Sequence, residues 1–151
     1  MDLKLKINAM ETIAEKKKIA NEQTAALSET HAVYVVKRAL YFTYGIIPIA
    51  AGLDKFTNIL TNWEQYLSPL ALSVIPFDPG AFMVIVGIVE IAAGIIVFSR
   101  PVVGGYIVMA WLIAIALNLL FAGYLDIAVR DLAMAVGAFS LAKLSQTYGH
   151  S

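Results

Sequence analysis

Four long apolar stretches follow a polar N-terminal segment. They predict helices at about residues 32–53, 79–99, 101–125 and 127–145. About 20 apolar residues in a helix cross the roughly 30 Å hydrocarbon core of a bilayer. None of the stretches shows the alternation of a membrane-barrel strand. We therefore expect an all-α protein built as a bundle of four transmembrane helices, which makes up a domain of residues 31–151.

The first 30 residues differ in character from everything that follows. Residues 1–30 hold five Lys and five acidic residues and no Gly or Pro. Ala, Glu and Lys favour helix, and no signal-peptide core with a cleavage site is present. We expect a charged, partly helical cytoplasmic arm. It is either a solvated tail or a docking arm for a partner.

The long connection between the first two predicted helices, residues 54–78, is apolar and aromatic. Its apolar side chains recur at helical spacing and predict an amphipathic helix that lies in the outer membrane interface. These side chains are Phe56, Ile59, Leu60, Trp63 and Leu67. The proline-broken sequence that follows predicts a hydrophobic lid. It acts either as a lipid anchor or as a gate for a substrate.

Composition narrows the classes of protein that this chain can belong to. Apolar residues make up 60% and charged residues 15%, which is too apolar for an ordinary soluble enzyme or a disordered chain. The 11 basic and 11 acidic residues balance without a basic face, so we expect no nucleic-acid partner. With no cysteine and two distant histidines, we expect no metal site.

The basic residues predict the orientation in the membrane. Nine of them fall on one side of the predicted spans and two on the other, and the richer side is cytoplasmic. The nine are Lys4, Lys6, Lys16, Lys17, Lys18, Lys37, Arg38, Arg100 and Lys143, and the two are Lys55 and Arg130. Both termini are therefore expected inside.

Glu90 is the ionisable residue nearest the middle of a predicted span. Such residues are costly in lipid and point to function. Gly87 and Gly94 share its helix face, and Gly45 and Gly52 in the first helix are further packing candidates, because glycine permits close helix approach. Glu90 is either a proton relay, a hydrogen-bonding group for a carbonyl ligand, or a structural residue bonded to a neighbouring helix.

Other polar side chains fall in the same outer half of the predicted bundle. Depth alone groups them into one cluster that opens outward under the lid: Asp54, Lys55, Glu90, Asn118, Arg130 and Asp131. Asn118 is one helical turn from Glu90 in depth, so the two side chains could meet directly or through water. The alternative is that Asn118 hydrogen-bonds a neighbouring helix and holds the two helices together. Arg130 could pair with an acidic residue such as Glu90, or form a surface pair. Tyr44 either binds a headgroup or packs in the core.

Three motifs resemble the DoxX-like family of four-helix membrane proteins. The first is Arg38-Ala-Leu with Gly45 and Ala51-Gly52-Leu53-Asp54-Lys55-Phe56. The others are Gly87-Ile-Val-Glu90-Ile-Ala-Ala-Gly94 and Arg130-Asp131-Leu132-Ala133. The family is similar in part to small subunits of thiosulfate:quinone oxidoreductase. The resemblance implies the plasma membrane of a prokaryote, lipid contacts and a quinone, without a covalent cofactor.

These observations support three functional hypotheses. The first is an accessory subunit of a larger membrane oxidoreductase, which contacts other subunits through residues 1–30 and the 54–78 loop. The second is a quinone-interacting redox or proton-transfer protein. The third, a small transporter, is weaker because no inverted repeat is present. No nucleophile–base pair or phosphate loop is present, so we expect no catalysis by the chain alone, only as part of a quinone-linked oxidoreductase.

Overall fold

The structure, a computed structural model, describes the backbone of residues 2–148 and the side chains of residues 7–148. These residues form helices and no strand, which confirms the all-α prediction. The helices are α1 (Asp2–Asp54), α2 (Pro69–Val74), α3 (Pro79–Ser99), α4 (Pro101–Ala122) and α5 (Leu125–Thr147), with a 3₁₀ helix at Trp63–Tyr66.

Proline and glycine set several of the helix ends. Pro79 and Pro101 occupy the first positions of α3 and α4, where a missing N–H costs nothing. Asp78 caps α3 by accepting a hydrogen bond from the Ala81 N–H at 3.1 Å. α3 covers the same residues as the predicted second span. Gly123, with φ of +87°, ends α4 three residues earlier than predicted, and α5 begins at Leu125 instead of residue 127.

The chain divides into two compact units, residues 1–36 and 37–151. Helix α1 runs through both, so the residues predicted as a separate arm belong to a helix that continues to Asp54. In the first unit the described apolar side chains Ile7, Met10 and Leu27 are exposed. The second unit holds three of the four long apolar segments and most of the first, residues 37–53.

Glycines bring α1 and α3 of the second unit into backbone contact. A Cβ at Gly52 would lie 2.5 Å from the Gly87 carbonyl oxygen, and one at Gly94 would lie 2.6 Å from the Gly45 carbonyl oxygen. From the first pair to the second, the position moves back by seven residues in α1 and forward by seven residues in α3. The two helices are therefore antiparallel, and all four predicted packing glycines lie in their contact.

Small residues also join the other helices of the bundle. Gly104 of α4 lies against the Val97 backbone of α3, and Gly105 lies against Ala138 and Ala142 of α5. Tyr44 of α1 donates a hydrogen bond from its hydroxyl to the Met134 carbonyl of α5 at 2.6 Å.

That same hydroxyl of Tyr44 occupies the position that a Cβ at Gly137 would need. With the contacts between α1 and α3, between α3 and α4 and between α4 and α5, this one closes a ring of four helices. The ring surrounds a core that includes Val97, Val108 and Leu141.

Two helices of the described chain, α3 and α4, are long and apolar enough to cross a membrane. Their most apolar 18-residue windows are only 33% and 22% buried. The core helix of a soluble protein would bury most of such a surface. Exposed Ile85, Ile88 and Ile95 of α3 and Ile113 and Leu117 of α4 illustrate the outward apolar faces.

The prediction of an amphipathic helix from Phe56 to Leu67 is wrong. Residues 55–62 form a turn and irregular chain, followed by the 3₁₀ helix Trp63–Tyr66 and the short α2. Asp54 accepts hydrogen bonds from the Ile59 and Leu60 N–H groups at 3.0 and 3.1 Å. The chain turns back around this carboxylate, because a capped turn satisfies those donors in place of a helix.

Candidate functional site

A buried ion pair lies within the bundle. The Lys55 Nζ donates to Glu90 Oε2 at 2.6 Å, and the two side chains are 5% and 7% exposed. Glu90 comes from the middle of α3, and Lys55 follows the last residue of α1. The carboxylate therefore faces a neighbouring segment of the bundle, with its charge matched at hydrogen-bonding distance.

Gly87 makes room for the lysine stem that reaches Glu90. It precedes Glu90 by one helical turn, and a Cβ at Gly87 would lie 3.2 Å from the Lys55 Cβ. A larger residue would press on the lysine and on the α1 backbone together. The glycine thus serves both the helix contact and the path of the Lys55 side chain.

Two indole rings complete the surroundings of the ion pair. The Trp111 Nε1–H of α4 donates a long hydrogen bond to Glu90 Oε1 at 3.4 Å. The Lys55 ammonium lies 3.7 Å from the centroid of the Trp63 ring, where the ring quadrupole stabilises a cation. Trp63 in turn donates from Nε1 to Asp54 Oδ2 at 2.8 Å. Asp54 therefore positions the ring that covers Lys55.

Asp54 lies just beyond the predicted span 32–53 and is held as a carboxylate. Burial raises its pKa, but hydrogen bonds from Trp63, Leu60, Ile59 and Thr57 outweigh burial and lower the pKa below its ordinary 3.8. Donors directed at the charged form stabilise that form. The turn and the Trp63 position are consequently assembled around a negative charge.

Asn118 of α4 holds the segment before α2 in place. Its Nδ2 donates to the Tyr66 carbonyl at 2.7 Å, and its Oδ1 accepts from the Ser68 N–H at 3.0 Å. Ser68 is 2% exposed. A direct hydrogen bond between Asn118 and Glu90, one of the alternatives left open above, is absent from the described residues, because both ends of the amide bind the backbone of this segment.

A cavity of about 660 Å³ lies beside the ion pair, within residues 37–148. Most of its wall is apolar, with aromatic and ionisable groups among the remainder. The polar and aromatic lining residues are Thr43, Tyr44, Lys55, Thr61, Trp63, Tyr66, Phe82, Glu90, Trp111, Asn118 and Asp131. Thr61, Trp63, Tyr66, Leu67 and Ala71 supply the wall from the 54–78 segment. Volume and lining are those of a site for a small lipophilic molecule.

Asp131 brings a second carboxylate to this cavity. It lies in the second turn of α5, is 8% exposed and lines the cavity. It interacts electrostatically with both Glu90 and Lys55. Within residues 7–148 it accepts no hydrogen bond and joins no ion pair of its own. The cavity wall thus carries two carboxylates and a single ammonium group.

The structure brings together part of the predicted cluster. Lys55, Glu90, Asn118 and Asp131 line the cavity, and so does Tyr44, whose hydroxyl is already bonded to Met134. Asp54 is buried next to it without lining it. Arg130, for which a pairing with an acidic residue of the cluster and a surface pair were both left open, forms neither ion pair among the described residues.

Arg130 is exposed and lies off the cavity, because α5 turns Asp131 inward and the preceding residue outward. Adjacent helical positions face directions about 100° apart.

Sequence reasoning missed the two tryptophans as site residues. Trp111 is seven residues before Asn118, a spacing that puts both on one helix face, and this signal could have placed Trp111 beside the polar cluster. Trp63 gave no such signal, because its position depends on the turn around Asp54.

No family model, curated protein or solved structure matches this chain. The DoxX-like resemblance stays a prediction from its motifs.

Proposed function

We propose that the chain is an integral membrane protein whose α1, α3, α4 and α5 all cross the bilayer. The exposed apolar side chains along α3 and α4 favour lipid as their surroundings, since soluble monomers rarely expose large contiguous apolar patches. The C-terminal half of α1 contacts α3 along two glycine pairs, and α5 contacts α4 through Gly105. Because α1 packs along α3 and α5 packs along α4, α1 and α5 lie at the same depth in the membrane as α3 and α4.

The termini are proposed to lie in the cytoplasm of a prokaryotic cell. The excess of nine basic residues over two, counted on the two sides of the spans, supports this orientation. The segment with Trp63 and α2 then faces outward.

Within that membrane protein, we propose that the cavity binds a small lipophilic molecule with a polar headgroup. The observation that carries this proposal is the buried Lys55–Glu90 pair on the wall of an apolar cavity. Apolar walls with a few convergent polar groups hold a ligand body and orient its head. The DoxX-like motifs favour a quinone as that molecule, with redox or proton transfer as the setting.

The test is quinone binding to the full-length chain in lipid nanodiscs. Trp63 and Trp111 are the chain's two tryptophans and both line the cavity, so a short-chain benzoquinone should quench their fluorescence to saturation. Ala93→Phe fills the cavity from a residue that is 2% exposed and should abolish saturable quenching. Ala92→Phe, on the exposed face of the same helix, is the matched control. Equal quenching of both variants would contradict the proposal.

A second proposal is that the chain is an accessory subunit of a larger membrane oxidoreductase. The exposed apolar side chains of the first unit, such as Met10 at 70% and Leu27 at 72% exposure, favour a covered surface in an assembly. The test is a gentle-detergent pull-down, carried out once with the full chain and once with a chain that lacks residues 1–30. The proteins that co-purify with each chain are compared. We expect oxidoreductase subunits only with the full chain; equal recovery would contradict docking through this segment.

A further inference from the structure

The carboxylate of Asp131 is the one acidic group on the described cavity wall that has no hydrogen-bond donor. It is more than nine-tenths buried and faces the cavity. Removing a carboxylate from water without a compensating donor is costly. Its neighbour Arg130 points to the exposed side of α5. The open side of the carboxylate is the side that faces the cavity, so a molecule bound in the cavity can supply a donor to it.

Five of the donor side chains on the cavity wall bind groups other than Asp131, and the hydroxyls of Thr43, Thr61 and Tyr66 make no hydrogen bond with it either. The Tyr44 hydroxyl donates to Met134, and the Asn118 amide donates to Tyr66. The two indole N–H groups bind Asp54 and Glu90. The Lys55 ammonium binds Glu90 and lies over the Trp63 ring.

Because Lys55 and Glu90 compensate each other, the cavity has one carboxylate in excess. We propose that Asp131 selects, for the cavity, a lipophilic ligand whose polar end donates a hydrogen bond. This inference rests on the proposed binding function and adds the chemistry of the headgroup. A ligand with acceptors alone, such as an oxidised quinone, leaves the buried carboxylate unmatched and binds less tightly. An O–H or N–H donor, such as the hydroxyl of the reduced quinol, satisfies the carboxylate. Two sources share this chemistry, a neutral phenolic hydroxyl and a protonated amine. Trp63, Tyr66 and Trp111 supply aromatic surface for the body of either ligand.

Matched probes separate donor chemistry from shape. 4-Decylphenol and its methyl ether 4-decylanisole differ in one donor, and both are titrated into nanodiscs of the full-length chain, with concentrations counted per lipid. Binding is followed by the fluorescence of the two cavity tryptophans. We expect the phenol to bind at least tenfold more tightly than the ether. Asp131→Asn should reduce that preference to less than twofold, since an amide can itself donate to the ether oxygen.

Arg130→Gln is the control, because it removes a charge at the adjacent, exposed position and should keep the preference. Decylamine against decyltrimethylammonium forms the second arm. Tighter binding of decylamine than of decyltrimethylammonium supports a donor on a cationic head, whereas equally tight, saturable binding of the two cations would show charge attraction in place of a donor. The tighter ligand of amine and phenol identifies the head as cationic or neutral. Circular dichroism and size exclusion establish that each variant is folded.

Equal binding of phenol and ether to the wild-type chain would overturn the role of Asp131, as would an unchanged preference in folded Asp131→Asn. The binding function would then still be supported if quinone quenching is saturable in the wild-type chain and is abolished by Ala93→Phe but not by Ala92→Phe. If neither the quinone nor any decyl probe binds, the binding function itself fails.

Discussion

Lys55 and Glu90 are each nearly removed from solvent, and each depends on the other for that position. Separating such a pair leaves a buried charge without a partner, which costs about 3–5 kcal/mol. We expect Lys55→Met or Glu90→Leu alone to lower the free energy of unfolding by about this amount. The double variant Lys55→Met/Glu90→Leu should recover most of the loss, because neither member of the pair is then left without its partner.

A double-mutant cycle in detergent, followed by thermal or SDS unfolding, measures this coupling. The exposed pair Lys18–Glu22, at 4.0 Å and with side chains 79% and 66% exposed, is a control from the same chain. Replacing either of its members by Ala should change stability by less than about 0.5 kcal/mol. Additive losses at Lys55 and Glu90 would show that the two charges do not stabilise each other.

The lowered pKa of Asp54 gives a pH dependence with a definite sign. A carboxyl whose folded-state pKa lies below its unfolded value contributes stability at neutral pH and loses it as pH falls through the folded value. The wild-type chain and Asp54→Asn should therefore differ in melting temperature by a constant amount from pH 7 to about pH 5. The difference should shrink below the ordinary pKa of 3.8. A difference that is independent of pH down to pH 3 would contradict a stabilising Asp54 charge.

At the level of single residues, depth along the spans was a partial guide. It placed Glu90, Asn118 and Asp131 in one layer, and the structure puts all three on the cavity wall. Depth could not identify partners, because helices that are apolar on all sides carry no periodicity to show which face is inward. That is why Arg130 was considered for Glu90 and why the pairing with Lys55 could not be chosen.

Among the elements, α1 and α3 owe their contact to the absence of side chains. A Cβ at Gly87 would lie 2.7 Å from the Gly52 carbonyl oxygen, and neither backbone can yield without moving its helix. Overpacking of this kind costs about 1–3 kcal/mol. We expect Gly87→Ala to lower the free energy of unfolding by that amount and to weaken quinone binding, since the Lys55 stem crosses the same glycine.

Ala92→Val adds bulk to the exposed side of α3 and should be close to neutral. Detergent unfolding of both variants, with tryptophan quenching as a second readout, makes the comparison. If both substitutions cost the same, the close approach of the two helices is not a source of stability.

The segment between α1 and α3 shows where sequence patterns fail at this scale. Five apolar residues at helical spacing predicted an amphipathic helix, yet the backbone there follows the hydrogen bonds of Asp54 and Asn118. Side-chain-to-backbone bonds compete with helix formation, and their partners are set by tertiary contacts that a local pattern does not contain. The long helices, in contrast, were predicted nearly to the residue where proline marks their start.

For the whole molecule, the proposed topology has a direct chemical test. The chain contains no cysteine, so single cysteines report on sidedness without background. Ser28 and Ser73 are both exposed and fall on opposite sides of the proposed membrane.

A membrane-impermeant maleimide on intact cells should label Ser73→Cys strongly, and Ser28→Cys at least tenfold less until the cells are lysed. Equal labelling of both positions before lysis would contradict the topology.

The closure of the helix ring through Tyr44 has an evolutionary consequence. Its hydroxyl fills the space beside Gly137 on the way to the Met134 carbonyl, so the two positions share one volume across two distant parts of the chain. In homologous proteins that keep this ring, tyrosine at position 44 and a side chain at position 137 should exclude each other. Substitutions there should therefore arise in pairs.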